Sequence, residues 1–462
     1  MTPHVWSGDI PSSSFCRLVV GRLASGGTAC VVAPCERLST DVLVIGGGPA
    51  GLAVAAGLQD TGVERLVVEQ GPALATRSDD EAAHLVTGVG GAGLFSDGKF
   101  SFYPSATGLW ALRPVDDLRL AYDSMAKNLA PTGLSVPSFP KRSPEALQPL
   151  EFRVKQYPSS YVSMEGRMHL TEQLVDAVGA GNLLIGTRAV RASGGPAGSI
   201  IVSLKPTSPQ DGDGRRVTVH CKALVLAGGR FGPLSCAVEL KGFRQAFRRL
   251  EMGVRIEQPA DNFFLRDQRA LDPKLLWEDV SGRYSWRTFC CCRNGRVMAT
   301  DFNGWVTLSG RADCPPTGKS NVGFNLRISN ERQAAQLWHE ASLLSVKPPP
   351  SSWTPLVDFI ATNESSPRRT LHHRLGRRGA ALVAEGLCRL TDRVGTHQLA
   401  DALVAGPTLE GVGHYPLTGP DLKTSEYPVW TVGDTTGRFR GITAALVSGF
   451  FAAQRLRKHF RR

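Results

Sequence analysis

Two stretches far apart in the chain carry residue types that do chemistry only in combination. Near the start, Asp41 to Ile45 (DVLVI) runs straight into Gly46-Gly-Gly-Pro-Ala-Gly51 and then into LAVAAGLQDTG, whose apolar positions suit a helix. Gly46, Gly48 and Gly51 fill the G-x-G-x-x-G positions. The first permits a tight turn, the second lets backbone N–H groups approach a pyrophosphate, and the third lets helix and strand pack closely. A second apolar run, Arg65 to Val68, ends in Glu69, 18 residues after Gly51, where a carboxylate can accept hydrogen bonds from the ribose hydroxyls of an adenosine. Strand, turn, helix, strand and acid in this register predict dinucleotide binding, with the phosphates at the helix N-terminus. A glycine-rich turn of no function would leave Glu69 unexplained.

Toward the other end, Val429 to Asp434 (VWTVGD) reads as a strand emptying into a Gly433-Asp434 turn, and a helix begins at or near Gly441 and Ile442. This arrangement resembles the closing motif of the two-motif FAD-binding enzymes. The resemblance implies FAD as the cofactor, with Asp434 near a ribityl or pyrophosphate oxygen and the amides at Gly441 and Ile442 near the flavin ring. Ala223 to Gly229 (ALVLAGG), with Gly228 in its turn, resembles the strand that returns the chain to the FAD domain in those enzymes. Asn182 to Val190 (NLLIGTRAV) resembles the strand in which Val190 would meet the adenine edge through its backbone.

A narrower resemblance lies in Gly88 to Phe100 (GVGGAGLFSDGKF), which is similar to the G-G-A-G-x-F-S-D-G-K signature of a bacterial family of FAD-dependent dehydrogenases. Gly253 to Glu257, Phe289 to Gly295 and Asn321 to Ile328 continue the similarity, so it concerns the whole architecture. It implies a flavin-facing loop. Backbone amides at Gly91 and Gly93 would approach the cofactor, Ser96 and Asp97 would hydrogen-bond the ring or ribityl chain, and Lys99 would set a cation near the flavin N1–C2=O edge, favouring hydride acceptance. The plainer alternative for Lys99 is a surface lysine closing a Ser-Asp-Gly turn. Gly88, Gly90 and Gly93 also spell G-x-G-x-x-G, but no strand precedes them, which argues against a second dinucleotide turn. The chain departs from the family at Asp79 to His84, where relatives carry cysteines, and 405–420 matches poorly. Neither a role for those cysteines nor a substrate is therefore carried over.

Among candidate catalytic groups, His414 is the favoured general base, since it stands shortly before the Gly-Asp strand. His169 is as readily a capping or core histidine. His372 and His373, with Arg368, Arg369 and Arg374, either receive an acidic substrate or decorate an amphipathic helix from about Leu371 to Leu390. Cys290, Cys291 and Cys292 lack the second ligand pair that zinc needs, so no metal is expected. If 284–292 is a strand, Cys290 and Cys292 share a face, and small buried hydrophobes are their default role.

The elements that must position these groups are interrupted in sequence. A Rossmann-type α/β FAD-binding domain is expected from 40–110, 155–240 and 395–462, after an N-terminal extension, 1–39, that is disordered or an over-called start. A connecting segment, 111–154, contains five prolines between 131 and 150, and a mixed α+β substrate domain fills 241–394, its antiparallel sheet covering the flavin. Residues 204–216 look like a hairpin excursion, and Pro348 to Pro350 like a surface linker. The 462 residues, 42% hydrophobic and 20% charged, exclude a disordered polyelectrolyte. A net charge of +12 without a basic stripe or interleaved aromatics argues against nucleic acid; the arginines at the end read as a frayed tail. Ten cysteines without repeated spacing fit a reducing compartment, hence a cytoplasmic protein, and no apolar run is long enough to span a membrane.

No second dinucleotide fingerprint serves NAD(P)H. The leading reading is therefore an FAD-dependent oxidoreductase, a dehydrogenase or oxidase whose flavin takes hydride from a small organic substrate, an anionic one being an option. The alternatives are an FAD-dependent monooxygenase using transiently bound NAD(P)H and O2, and a non-catalytic FAD- or anion-binding protein.

Overall fold

The computed structural model describes residues 18–22, 28–32, 37–141, 153–155, 157–208, 217–343, 353–361 and 369–461. Arg368, the Pro348 to Pro350 run and the tip of the 204–216 excursion lie outside them. Leu18–Arg22 and Thr28–Val32 pair antiparallel, so the N-terminal extension contains a strand pair where the sequence suggested disorder.

Two large sheets organise the described residues. In the first, of eight strands, Arg37–Ile45 lies parallel to Arg65–Val68 on one side and to Val217–Leu226 on the other. Val429–Thr431 adds in parallel to Val217–Leu226, closing this sheet with residues from late in the chain. Side chains alternate along the first strand: Val42 and Val44 pack into a core with the helices Pro49–Gly57, Val115–Leu129, Met164–Val178 and Ile442–Phe460, while Leu43 and Ile45 pack on the opposite face. The sequence excursion at 204–216 joins the strands Ile200–Pro206 and Val217–Leu226, which pair antiparallel. The class is thus α/β with parallel strands at the first glycine turn.

The expected single strand Asn182 to Val190 is two strands, Leu183–Leu184 and Thr187–Gly194, broken at Gly186, whose φ is +64°. The amphipathic helix expected from Leu371 to Leu390 is likewise two helices, Arg369–Leu375 and Arg377–Val394, separated by Gly376 at φ +74°.

The second sheet has seven strands, centred on Gln245–Pro259 between Lys319–Ile328 and Leu403–Pro416, all antiparallel. Leu403–Pro416 therefore belongs to this sheet, although it falls in the sequence segment assigned to the cofactor domain. Along Gln245–Pro259 the even positions Leu250, Met252, Val254 and Ile256 enter an apolar core with the helix Arg377–Val394. The odd positions Arg249, Glu251, Arg255 and Glu257 form a polar face, on which Arg249 meets the Gly433–Gly441 region. Among the described residues no helix is long and apolar enough to cross a membrane.

Candidate functional site

The glycine turn at the carboxyl end of Arg37–Ile45 has the geometry its spacing predicts. Gly46 sits at φ +112°, and a Cβ there would come within 2.5 Å of the Ala227 carbonyl oxygen. A Cβ on Gly51 would run into the Gly46 carbonyl oxygen. The following helix starts at Pro49 with Gly48 as an N-cap that has no side-chain hydrogen bond, so its first N–H groups have no capping partner in the protein.

Glu69, 6% exposed, ties this turn to the next segment. Its Oε2 accepts from Gly47 N–H at 2.7 Å, and its Oε1 accepts from Gly71 and Gly88 N–H at 2.8 and 2.9 Å. Three of about four carboxylate acceptor positions are thereby used, leaving one on Oε2. The Gly88–Lys99 loop then crosses the turn. Gly90 N–H donates to Gly47 O at 2.8 Å, Gly91 lies against Gly48, and Gly93 lies against Ile442. Ser96 Oγ donates to Gly93 O at 2.8 Å. Arg77 clasps the loop from below through Val89 O at 2.7 Å and Gly91 O at 3.0 Å, and burial lowers its guanidinium to about 10. Arg167, 2% exposed on the helix Met164–Val178, donates to Leu94 O at 2.8 Å and to Asp313 at 2.9 Å.

The C-terminal motif arrives at the same place. Gly433 packs on Ala50 in the first turn of the glycine-motif helix, and its N–H donates to Ser448 Oγ at 3.0 Å. Asp434 Oδ2 accepts from Arg440 Nε at 2.8 Å, whereas the buried Oδ1 has no hydrogen-bond partner among the described residues. The helix Ile442–Phe460 begins after Gly441 with no side-chain cap, and Thr443 Oγ1 is also buried without a partner. Two uncapped helix N-termini, an acceptor on Asp434 and one remaining acceptor on Glu69 are complementary to a dinucleotide with hydroxyl-bearing ribose and ribityl groups. The donor set fits FAD. A cavity of 420 Å³ lined by Thr40, Gly62, Arg65 and Asn182 lies at the other, amino ends of the same strands.

Lys99 is buried, not a surface residue closing a turn. Its Nζ lies 2.9 Å from Asp97 and 3.6 Å from Asp272, and Lys274 stands 3.3 Å from Asp272. Burial works against the Lys99 charge, but Asp97 and Asp272 outweigh it and hold the ammonium above its usual value.

The polar face of the second sheet carries a cluster with more guanidinium than carboxylate. Glu251, fully buried, accepts from Arg287 at 2.9 Å and Arg327 at 2.6 Å, with Arg249 3.3 Å away. Burial opposes its ionisation, yet the three arginines hold it well below the usual carboxylate range. Arg440 joins Asp434 to Glu410, which also pairs with Arg230 at 2.9 Å. Burial disfavours the Arg440 charge, and Asp434 and Glu410 more than restore it.

Other candidates stand apart from this convergence. His414 is half exposed and bonded to Glu331 at 2.7 Å; its neighbour Tyr415, fully buried, lies against Gly437, because successive residues of a strand point to opposite faces. His169 is exposed on its helix. Val190 is the extra residue of a bulge, between the pairs Arg191–Ser203 and Ala189–Leu204. His372 packs on Phe359 with ring centroids 4.5 Å apart, and burial lowers its pKa. Sequence reasoning missed Arg77, Arg440 and Glu251. Arg167, two residues before His169 in the same Gly166-Arg-Met-His segment, is the buried member of it and reaches the loop.

Residues 39–92 match the family model described as FAD binding domain. This region of the chain is an FAD-binding segment, and FAD is the cofactor that the site accommodates. No curated protein sequence matches the chain significantly. Solved structures with a similar course include the substrate-free rebeccamycin biosynthetic enzyme REBC (13% identity, 92% of this chain and 64% of that one, TM-score 0.36). Others are a geranylgeranyl bacteriochlorophyll reductase-like protein from Thermoplasma acidophilum (14%, 92% and 79%, 0.40) and the flavin-dependent brominase Bmp2 (10%, 92% and 80%, 0.40). The chain spans 56% to 64% of the length of the REBC structures.

Proposed function

We propose that the chain is an FAD-dependent oxidoreductase, a dehydrogenase or oxidase, acting on a small anionic organic substrate held where the arginine-rich sheet face meets the Gly433–Gly441 turn. The observation that supports this is the convergence of Gly46–Gly51, Gly88–Lys99 and Gly433–Ile442 on two uncapped helix N-termini. Bound FAD would supply a two-electron acceptor for the substrate's hydride.

The chain's own residues divide the holding of it. Gly48 N–H and the first N–H groups of the helix Pro49–Gly57 would take the pyrophosphate, the free acceptor on Glu69 a ribose hydroxyl, and Asp434 Oδ1 a ribityl hydroxyl. The amides at Gly441 and Ile442 would serve the flavin end. Lys99, already shared by two carboxylates, acts by fixing Asp97 more than as a free cation. Arg230, Arg249, Arg287, Arg327 and Arg440 exceed Glu251, Glu410 and Asp434 in charge, which suits a carboxylate-bearing substrate.

The test is anaerobic incubation of the purified full chain with a panel of carboxylate metabolites while the visible flavin band is followed. Bleaching by a member of the panel is the expected result. Protein that is colourless and takes up no added FAD would overturn the proposal. Incorporation of labelled oxygen into product with NAD(P)H consumption would assign a monooxygenase instead.

A further inference from the structure

Cys290 and Cys292 lie on the strand Tyr284–Cys292, where the pairing with Lys319–Ile328 slips between Phe289 and Cys292. Cys290 takes φ +49°, an uncommon value for a residue with a Cβ, and the two sulfurs end 3.7 Å apart. Cys290 is partly exposed and Cys292 is buried. Cys291, between them, is buried as well, and its N–H donates to Asp272 at 3.0 Å.

The surroundings combine buried cations with acceptors for the Cys290 thiol. Arg255, 0% exposed, donates through Nη2 to the Cys290 carbonyl at 2.9 Å and to Asn321, while its Nε and Nη1 are buried without a hydrogen-bond partner among the described residues. Cys290 Sγ donates to Asp97 Oδ2 at 3.6 Å, and Asp97 is itself held by Lys99. The hydrogen bond from Cys292, then Arg255 and Lys99, lower the Cys290 thiol against the opposing effects of burial and Asp97. The same bond, with burial, pushes Cys292 up. Asp97, Cys290 and Cys292 have donor atoms within 4.8 Å of one another, as a metal would require. A divalent ion there would meet the fixed charges of Lys99 and Arg255, which favour an anionic sulfur over a bound cation.

We propose that Cys290 and Cys292 are a redox-active dithiol that low-molecular-weight disulfides oxidise, with Cys290 the attacking and Cys292 the resolving sulfur. Cys290 loses its proton to solvent and its thiolate attacks one sulfur of the small disulfide, forming a mixed disulfide and releasing one thiolate. Cys292 then loses its proton to solvent and attacks Cys290 Sγ, releasing the second thiolate. Two electrons pass from the protein to the small disulfide, and the intramolecular bond forms as the sulfurs close to about 2.05 Å. The pair is independent of which substrate the flavin site takes.

The experiment equilibrates the full chain in buffers of reduced and oxidised glutathione, quenches with acid, alkylates the free thiols and maps the peptides by mass. The expected result is coordinated loss of alkylation at Cys290 and Cys292, their peptide lighter by two hydrogens, with the same bond forming in Cys291→Ala. In Cys292→Ser the Cys290–glutathione mixed disulfide should accumulate to roughly tenfold its wild-type level, because no resolving sulfur follows. Cys290 and Cys292 both remaining alkylated across the whole series in the wild-type chain would overturn the proposal. So would a stoichiometric metal in the purified protein that shields both thiols from alkylation.

Discussion

Along the parallel strands the groups offered to a ligand are main-chain amides, whereas the antiparallel sheet offers guanidinium and carboxylate groups on side chains. The two surfaces meet at Glu410 and Gly437, where Arg440 and Arg249 reach across. A backbone-built site depends on the absence of side chains, so any added atom obstructs it. A side-chain-built site depends on charges in balance, so it fails when one partner is removed and responds to pH.

The sharpest way to break the contrast is at Gly46. Gly46→Val sets a branched side chain at φ +112° against Ala227, and we expect complete loss of bound flavin together with a destabilisation of about 3 kcal/mol or more, read by visible absorption and thermal melting. Retained flavin would show that the turn is not backbone-limited. On the opposite face, Glu251→Gln leaves Arg249, Arg287 and Arg327 without their buried counter-charge. A loss of about 3–5 kcal/mol in denaturant unfolding is expected, and a loss under about 1 kcal/mol would mean that the arginines are solvated there.

A smaller effect sharpens the same point through pH. Asp272 is held down to about 2, although burial opposes it, by Lys274 and Lys99. Its folded value lies below an unfolded one of about 3.9, so its stabilisation is complete above that pH and disappears as pH falls toward 2. Asp272→Asn should therefore lose on the order of 2 kcal/mol near neutrality and show a flatter acid limb than the wild type. Equal acid limbs would place the titration elsewhere. The smallest effect belongs to His414→Ala. Its pair with Glu331 is exposed, so stability should change by no more than about 0.5 kcal/mol, and flavin reduction in stopped flow should be unaltered. A reduction rate that collapses would restore His414 as the general base.

The same contrast explains what could be read before any coordinates. The glycine turns are local: Gly46, Gly48 and Gly51 with Glu69 declare strand, turn and helix within 24 residues, and the spacing itself is the geometry. The arginine cluster is not local, because Glu251 finds Arg287 36 residues on and Arg327 76 residues on, and strand registers that no short motif encodes decide the match. His414 shows the cost of judging by proximity in sequence, since one step along a strand separates it from the buried Tyr415. The break at Gly376 is not legible in the sequence because the apolar period continues on both sides of it.

Arg455, Arg457 and Lys458, expected to belong to a loose tail, are built into the fold. Asp117, 1% exposed, accepts from Arg455 at 2.9 Å and Lys458 at 2.6 Å, and Arg457 Nε donates to Gly57 O at 2.7 Å. These bonds span 338 to 400 residues of chain. During synthesis the first glycine turn must therefore wait, with its apolar helix uncovered, until the closing helix leaves the ribosome, on the order of tens of seconds later. The turn at Gly46 and the helix that seals it are thus separated by about 400 residues of chain, and over that interval the apolar face of the first helix is the surface a chaperone would shield.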